Sequence, residues 1–259
     1  MNVSEQMTVI GSAARNAADV LRSAPAEQRS AAISAMARHV RRRSAEILEA
    51  NAADVAEATS MIDRLMLNPE RVEGIATALE EIAILPDPVG KVMDRWTRPN
   101  GLEISRVRTP IGVIGMIFES RPNVTADAAA ICLRSGNAVI LRSGSEALRS
   151  ALAIGRAIAD ALSEAGLPAG SVQVVPTADR EAVGMMLEGL GGAIDLIIPR
   201  GGRGLVERVT TQARVPVLGH LEASAIPMCT NPPTRRWLSR SSATPRCGGR
   251  PSAARPRRC

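Results

Sequence analysis

The sequence predicts an α/β fold in which helices cover a doubly wound parallel sheet. Two short apolar runs, residues 112–117 and 137–142, are separated by one Ala-rich helical segment that begins after Pro122. Apolar runs joined by a single helical crossover are typical of parallel strands buried on both faces. Strand-like and helical segments continue to alternate after residue 146, which favours one sheet with helices packed against it.

The first part of the chain is predicted to be helical. Residues 5–58 have the Ala-rich spacing of two or three helices, and Pro25 with Glu27 marks a helix start. The basic run 38–43 could bind an anion, but a solvated helix face is the more common explanation of such a run. His39 has no evident partner cluster and is expected to be structural.

Another helix is expected over residues 69–84, where apolar residues recur at helical spacing and mark a face that packs on the core. These residues are Val72, Ile75, Leu79 and Ile82. Prolines and the Asn100-Gly101 pair then indicate an irregular or hairpin-like connection. Downstream, we expect helices over residues 147–165 and 180–190, and strands over residues 172–175 and 193–198.

Charge and cysteine are unevenly distributed along the 259 residues. The net charge is +6, but residues 223–259 contain eight Arg and no acidic residue, so 24 basic and 26 acidic residues remain before them. Three of the four cysteines also lie in this last segment, and Cys132 stands alone before it. We therefore expect no disulfide framework and no metal site, with Cys132 a small core residue.

Membrane and secretory signals are not evident in the sequence. No apolar run approaches the ~20 residues that span a bilayer, and the first residues lack a basic-then-apolar signal pattern. We expect a cytoplasmic protein without a membrane partner.

Polar residues cluster directly after the two best-defined strands. Glu119, Arg121 and Asn123 follow the first strand, and residues 142–146 follow the second. Ligands of open α/β sheets bind at the carboxyl ends of strands, so the two clusters predict one crevice. The alternative is structural, with Pro122 starting a helix, Ser145 capping the next helix and Glu146 favouring its dipole.

A glycine-rich loop follows the fourth predicted strand. Gly201, Gly202 and Gly204 would let the backbone approach a ligand and leave N–H groups for an anion. The loop is not a GxGxxG motif, and a simple tight turn explains it equally well.

Three segments of the chain resemble a known family. They are residues 110–148 (PIGVIGMIFESRPNVTADAAAICLRSGNAVILRSGSEAL), residues 195–222 and residues 84–108. They are similar to the glutamate-5-semialdehyde dehydrogenases, also called gamma-glutamyl phosphate reductases, of the aldehyde dehydrogenase superfamily. The resemblance covers residues 1–222 and implies a Rossmann-like NADP-binding domain with a helical N-terminus.

The resemblance also implies which residues bind the cofactor, NADPH. Arg142 matches the position that reaches the adenosine ribose, where a guanidinium could pair with the 2′-phosphate. The implied cofactor-binding set is Arg142, Ser145, Glu146, Arg200, Gly201, Gly202, His220 and Glu222.

Glu119, Arg121 and Asn123 match the substrate side of the family's crevice. Arg121 could attract the acyl phosphate or carboxylate of the substrate, and Asn123 could donate a hydrogen bond to a developing oxyanion. The implied reaction is the NADPH-dependent reduction of L-glutamate 5-phosphate to L-glutamate 5-semialdehyde and phosphate in proline biosynthesis. The alternative is a nucleotide-binding fragment without catalysis. The full-length enzyme could form an oligomer.

The family's nucleophilic cysteine is missing from this chain. In the family it lies in a second, catalytic domain, in a segment similar to Lys-Met-Arg-Arg-Thr-Gly-Val-Cys, and the surroundings of Cys247 do not match that segment. No catalytic residue is therefore assigned, and we expect this chain to be inactive.

We hypothesise that a one-base deletion, or a sequencing error, shifts the reading frame and accounts for the loss. GC-rich codons can be chosen for residues 245–259 that, read from the third base of each codon, encode Lys-Met-Arg-Arg-Thr-Ala-Val-Cys-Gly-Ala-Ala-Glu-Thr. The same offset turns residues 223–226 into the family's Gly-Ile-Cys-His if one base was lost after the Glu222 codon. We therefore expect residues 223–259 to be a disordered, out-of-frame tail. Its arginines could contact phosphates, but this origin makes their charge accidental, and no nucleic-acid partner is expected.

Overall fold

A computed structural model describes residues 2–59 and 62–219 of the chain. The described part contains helices and two β-sheets, and no helix within it is long and apolar enough to cross a membrane. The helices are α1 (Val3–Ser23), α2 (Ala26–Arg42), α3 (Ser44–Glu57), α4 (Ile62–Leu65), α5 (Pro69–Ala83), α6 (Asn123–Arg134), α7 (Leu148–Glu164), α8 (Arg180–Leu187) and α9 (Arg203–Gln212). The strands are β1 (Val92–Thr97), β2 (Glu103–Val107), β3 (Val113–Phe118), β4 (Ala138–Arg142), β5 (Val172–Val174) and β6 (Leu196–Arg200).

The N-terminal helices form where local signals predict them. Asn2 and Glu5 make a capping box at the start of α1, and α2 begins directly after Pro25. Asn68 caps α5 by accepting a hydrogen bond from the Arg71 N–H. The apolar stripe of α5 is buried as expected, apart from the half-buried Ile82.

The basic run of α2 is not simply a solvated face. Arg41 binds Glu73 of α5 at 2.7 Å, and His39, which is 6% exposed, lies 2.8 Å from the Glu164 carboxylate of α7. The expectation that His39 lacks partners was wrong, because its partner Glu164 lies 125 residues later in the sequence. The run joins α2 to two neighbouring helices.

The connection after α5 is the hairpin that its turn residues suggested. Strands β1 and β2 pair antiparallel, and the Gly101 N–H donates to the Arg98 carbonyl in the turn between them. Nearly every hairpin residue is exposed. The hairpin therefore adds little to the core.

The core sheet is parallel, as predicted, with strand order β5-β4-β3-β6. Ile114 of β3 pairs with Val139 of β4 on one side and with Leu196 of β6 on the other. Helices α6 and α7 pack against each other, with α6 on β4 and α7 on β5, and α1 contacts α8. This arrangement confirms the α/β fold class.

Strand β6 begins later than the sequence pattern indicated. The expected strand was 193–198, whereas the ladder runs from Leu196 to Arg200. The backbone turns at Gly191 and Gly192, which have positive φ, and Arg15 donates to the Ala193 carbonyl at 2.7 Å. The apolar residues before 196 thus belong to a turn that α1 holds.

Two helices also start or stop at other residues than expected. A 3-10 turn over Ser145–Ala147 precedes α7, so the α-helix starts at Leu148. Helix α8 ends at Leu187 because Gly189 then adopts a left-handed conformation.

Cys132 is a core residue, as predicted. It lies on α6 with 6% of its surface exposed, and burial raises the pKa of its thiol to about 12. A thiol in this environment stays protonated and is a poor nucleophile. The expected tail, residues 223–259, lies outside the described residues.

Candidate functional site

The carboxyl ends of β3 and β6 meet through direct hydrogen bonds. The Glu119 N–H donates to the Arg200 carbonyl at 3.2 Å, and the Gly202 N–H donates to the Glu119 carboxylate at 2.8 Å. Glu119 therefore holds the glycine loop at the start of α9. Two residues assigned to different parts of the crevice from sequence are in contact.

This contact explains why residue 201 is glycine. A Cβ atom at Gly201 would lie 2.5 Å from Oε2 of Glu119 and 2.8 Å from Cδ2 of Leu205. A Cβ at Gly202 would meet nothing closer than 3.7 Å, and at Gly204 it would point into open space. The close approach of Glu119 thus supports the structural explanation of Gly201.

Ser120 joins the loop after β3 to the loop after β4. It is 8% exposed, its φ of 40° is unusual for a residue with a side chain, and its hydroxyl donates to the Glu146 carboxylate at 2.8 Å. Such strain persists only where surrounding contacts hold it, and it concentrates at functional sites. Sequence reasoning gave Ser120 no role, although it lies within the polar cluster.

Ser145 does not cap helix α7, contrary to the structural explanation of that residue. The cap comes from Asp54 of α3, whose carboxylate accepts hydrogen bonds from the Ser150 N–H at 2.8 Å and the Ser150 hydroxyl at 2.6 Å. Ala147, at the N-cap position, has no side chain that could do this. Because Ser145 offered a local cap in the sequence, no sequence signal pointed to so distant a partner.

Arg142 lies in a cavity of about 410 Å³ at the end of β4, together with Ser145 and Glu146. Its guanidinium donates to the carbonyls of Ser143 at 2.7 Å and Ala178 at 2.8 Å. Burial, followed by repulsion from nearby arginines, lowers the pKa of Arg142. The group still remains charged, because an arginine starts from so high a pKa.

Two further arginines, Arg180 and Arg208, line the same cavity and repel Arg142. Within the described ranges, none of the three forms an ion pair with a carboxylate. Sequence reasoning missed both, because they lie on α8 and α9 far along the chain. Three guanidinium groups around one cavity suit an anionic ligand.

A second cavity of about 230 Å³ adjoins the glycine loop. Arg64, Arg121 and Arg200 line it with Gly201 and Gly202. Glu119 and Ser120 line both this cavity and the one around Arg142. The residues predicted for the cofactor and substrate sides are thus brought together along one sheet edge.

Arg121 and Asn123 also line a third cavity, of about 560 Å³, between α6 and the α4–α5 region. The Asn123 side-chain amide donates to the carboxylate of Asp127 at 3.0 Å. Partial burial raises the pKa of Asp127 despite this bond. Asn123 is therefore engaged within its own helix, and Asp127 is a further group that sequence reasoning missed.

His220 and Glu222, the remaining predicted cofactor residues, lie outside the described part of the chain. In the residues that are described, no group of His, Cys, Asp and Glu is arranged to hold a metal ion.

Known proteins resemble the chain closely. Gamma-glutamyl phosphate reductase of Caulobacter vibrioides is 60% identical over 83% of this chain and 54% of its own length. That of Parvibaculum lavamentivorans is 58% identical over 85% of this chain and 54% of its own. The chain thus spans about half the length of the curated relatives it matches.

Solved structures agree with the sequence comparison. Gamma-glutamyl phosphate reductase of Thermotoga maritima superposes with a TM-score of 0.78 at 44% identity, over 82% of this chain and 52% of its own. The glyceraldehyde-3-phosphate dehydrogenase of Methanocaldococcus jannaschii complexed with NADP, at 19% identity and a TM-score of 0.67, shares the fold. It covers 84% of this chain, which spans 46% of that protein.

The sequence model of the aldehyde dehydrogenase family matches residues 3–218, which include every described strand and helix. Because this match extends over most of the chain, the chain belongs to the aldehyde dehydrogenase family.

Proposed function

We propose that the chain is the cofactor-binding part of a cytoplasmic gamma-glutamyl phosphate reductase that uses NADPH. The complete enzyme would reduce L-glutamate 5-phosphate to L-glutamate 5-semialdehyde and phosphate. In that reaction NADPH supplies the hydride. The identity of 53–60% to reductases of this name supports the proposal.

The choice of NADPH over NADH rests on the cavity around Arg142. A 2′-phosphate is a compact dianion, and an arginine can hold it with paired hydrogen bonds. Two nitrogens of the Arg142 guanidinium donate to backbone carbonyls. Its Nε atom is buried and has no partner in the described part of the chain. With Arg180 and Arg208 beside it, the site has donors and positive charge available for a phosphate.

The residues around this phosphate position have distinct tasks in the proposal. Ser145 and Glu146 line the cavity next to Arg142, where the ribose would lie. Arg200, Gly201 and Gly202 border the neighbouring cavity, where the nicotinamide half would lie, and we assign His220 and Glu222 to the same half. Glu119, Arg121 and Asn123 would face the substrate.

We propose further that this chain binds the nucleotide but does not catalyse the reaction, because residues 223–259 replace the cysteine segment with an out-of-frame sequence. Resequencing the gene across the codons for residues 219–226 tests the frame. An additional base there would mean that a full-length enzyme is encoded, whereas its absence would leave nucleotide binding as the chain's own function.

The cofactor assignment is tested by fluorescence titration of the purified 259-residue chain with NADPH and, in parallel, with NADH. We expect tighter binding of NADPH, and we expect Arg142→Gln to reduce that preference about tenfold to a hundredfold, the range for hydrogen bonds to a charged group. Arg156→Gln is the matched control. Arg156 lies on the surface of α7, where it pairs with Glu46 of α3, and it does not line the cavity around Arg142.

Equal affinity of the unaltered chain for the two nucleotides would refute the role of Arg142. A parallel assay for NADPH-dependent reduction of the acyl phosphate tests the second part of the proposal. Measurable turnover by the purified chain would show that it is a complete catalyst.

A further inference from the structure

The cavity between α6 and the α4–α5 region has a composition that the proposed cofactor and phosphate contacts do not explain. It is an open cavity of about 560 Å³ that combines acidic with basic side chains. The acids are Asp63 and Asp127, and the arginines are Arg64, Arg71 and Arg121. A cavity with both signs of charge is suited to a ligand that itself carries both signs.

Two of these charged residues neutralise each other. Arg71 binds the Asp63 carboxylate at 3.0 Å and also donates to the Met66 carbonyl at 2.6 Å. The Asp63 side chain is 87% exposed, so this pair lies at the rim of the cavity. It shapes the cavity without offering an unpaired charge.

Asp127 differs from Asp63 in its surroundings. Its carboxylate is half-buried and accepts one hydrogen bond, from the neutral amide of Asn123 at 3.0 Å. No cation within the described residues pairs with it, and partial burial raises the pKa of this carboxyl. A carboxylate with two oxygens can accept further hydrogen bonds, so an ammonium group in the cavity would find an acceptor.

Arg121 offers the opposite charge at the same cavity. It is exposed, precedes the first turn of α6, and forms no ion pair in the part of the chain that the structure describes. It also lines the cavity beside the glycine loop. A ligand that occupied both cavities would therefore contact Arg121, and in the larger cavity it would also reach Asp127.

We propose that Asp127 is a specificity residue that binds the α-ammonium group of an amino-acid substrate, with Arg121 on the side of its anionic groups. The inference rests on the proposed function and deepens it. Asp127 distinguishes a glutamyl from a glutaryl acyl phosphate, two molecules that differ only in the α-amino group. Asn123 is then a positioning residue that orients the Asp127 carboxylate.

The test uses two stable phosphonates that mimic the acyl phosphate, (S)-2-amino-5-oxo-6-phosphonohexanoate and the same compound without the amino group. Binding of each to the full chain is measured by calorimetry or ligand-observed NMR in the presence of NADPH. We expect the amino compound to bind roughly tenfold to a hundredfold more tightly, as for a hydrogen-bonded charge pair.

Asp127→Asn keeps the size of the side chain and should abolish the preference for the amino compound. Asp63→Asn is the matched control: it lines the same cavity, but its carboxylate is taken by Arg71, so the preference should persist. A loss of preference in both variants would indicate a general charge effect and overturn the role of Asp127.

The comparison of the two ligands on the unaltered chain does not depend on how any variant folds. Equal binding of the two phosphonates, or binding of neither, overturns the inference. NADPH affinity, followed separately through Arg142, reports on the proposed function, so either result can be obtained independently of the other.

Discussion

At the scale of single residues, the carboxylate of Asp54 fixes where helix α7 begins. It is 4% exposed and accepts hydrogen bonds from the backbone and side chain of Ser150 and from the Arg149 N–H at 3.3 Å. The loop that carries Ser145 and Glu146 directly precedes this point. The position of that loop therefore depends on an acid that enters from helix α3.

We expect Asp54→Ala to lower the free energy of unfolding by about 2 to 3 kcal/mol, because it removes a helix cap and leaves buried donors without an acceptor. Urea denaturation measures the loss. Glu49→Ala, on the exposed side of the same helix, should change stability by less than about 0.5 kcal/mol. Similar stability of the two variants would contradict the capping role.

Asp195 makes a second contact of this kind, between Arg15 of α1 and the first residue of β3. Its carboxylate lies 3.0 Å from Arg15 and accepts from the Val113 N–H at 2.8 Å. Partial burial alone would raise the pKa of Asp195, but the hydrogen bonds from Arg15 and Val113 outweigh it and lower the pKa. The folded state therefore favours the charged carboxylate.

A carboxyl group whose pKa is lowered by folding stabilises the protein above its unfolded pKa of about 3.9 and loses that contribution as the pH falls through the folded pKa. The difference in unfolding free energy between the unaltered chain and Asp195→Asn should thus be largest near neutral pH and shrink below about pH 4. Urea unfolding over a pH series measures it. Asp19→Asn, on the exposed face of α1, makes the same change of charge and serves as the matched control.

The sequence predicted the residues of the site that directly follow buried strands, because an apolar run and its polar end are adjacent along the chain. Glu119, Arg121 and Arg142 were predicted in this way, and all three line cavities at this edge of the sheet. Asp54, Arg180 and Arg208 could not be found, because they reach the site from helices whose packing no local pattern specifies. Asp127 was not predicted for another reason. It lies within an Ala-rich helix whose sequence pattern indicates a purely structural role.

At the scale of elements, α1 packs against the 3-10 turn that precedes β5. A Cβ atom at Gly170 of this turn would lie 2.4 Å from the Ala13 carbonyl oxygen and 2.8 Å from its carbon. The obstacle is backbone inside a helix, which cannot move aside as the end of a side chain can. The approach of helix and turn therefore requires glycine.

We expect Gly170→Ala to destabilise the fold by about 1 to 3 kcal/mol, the usual range for overpacking. The melting temperature, followed by circular dichroism, should fall by several degrees. Gly184→Ala is the control, since nothing lies within 4 Å of a Cβ at that position of α8. Its expected effect is the reverse, a gain of up to ~1 kcal/mol from helix propensity.

The elements were predicted best where one signal was strong. Strands β3 and β4 lay within one residue of expectation because each is a continuous apolar run bounded by polar residues. Strand β6 was misplaced because residues 193 and 194 are equally apolar but are held in a turn by Arg15. That contact joins residues far apart in the chain, so periodicity alone could not reveal it.

At the scale of the whole molecule, the charge of the chain is divided between two segments. Residues 1–222 contain 24 basic and 26 acidic residues, whereas residues 223–259 carry eight Arg and no acid. The high isoelectric point, about 10.3, therefore comes from the last segment. It gives no information about ligands of the described domain.

A chain that ends at residue 222 should consequently bind an anion exchanger near pH 8, while the 259-residue chain should bind a cation exchanger. Chromatography of the two chains side by side measures this. Retention of the shorter chain on the cation exchanger would show that a basic surface remains in the first 222 residues.

The anchoring of α1 has a consequence for how the protein is made. Arg15 binds Asp195, which lies 180 residues later, and the Ile10 carbonyl accepts from Gln173, 163 residues later. A ribosome adds about 5 to 20 residues per second, so Arg15 is synthesised roughly 9 to 36 seconds before Asp195. During that interval α1 lacks both contacts. Its apolar side is then open to a chaperone at the exit tunnel.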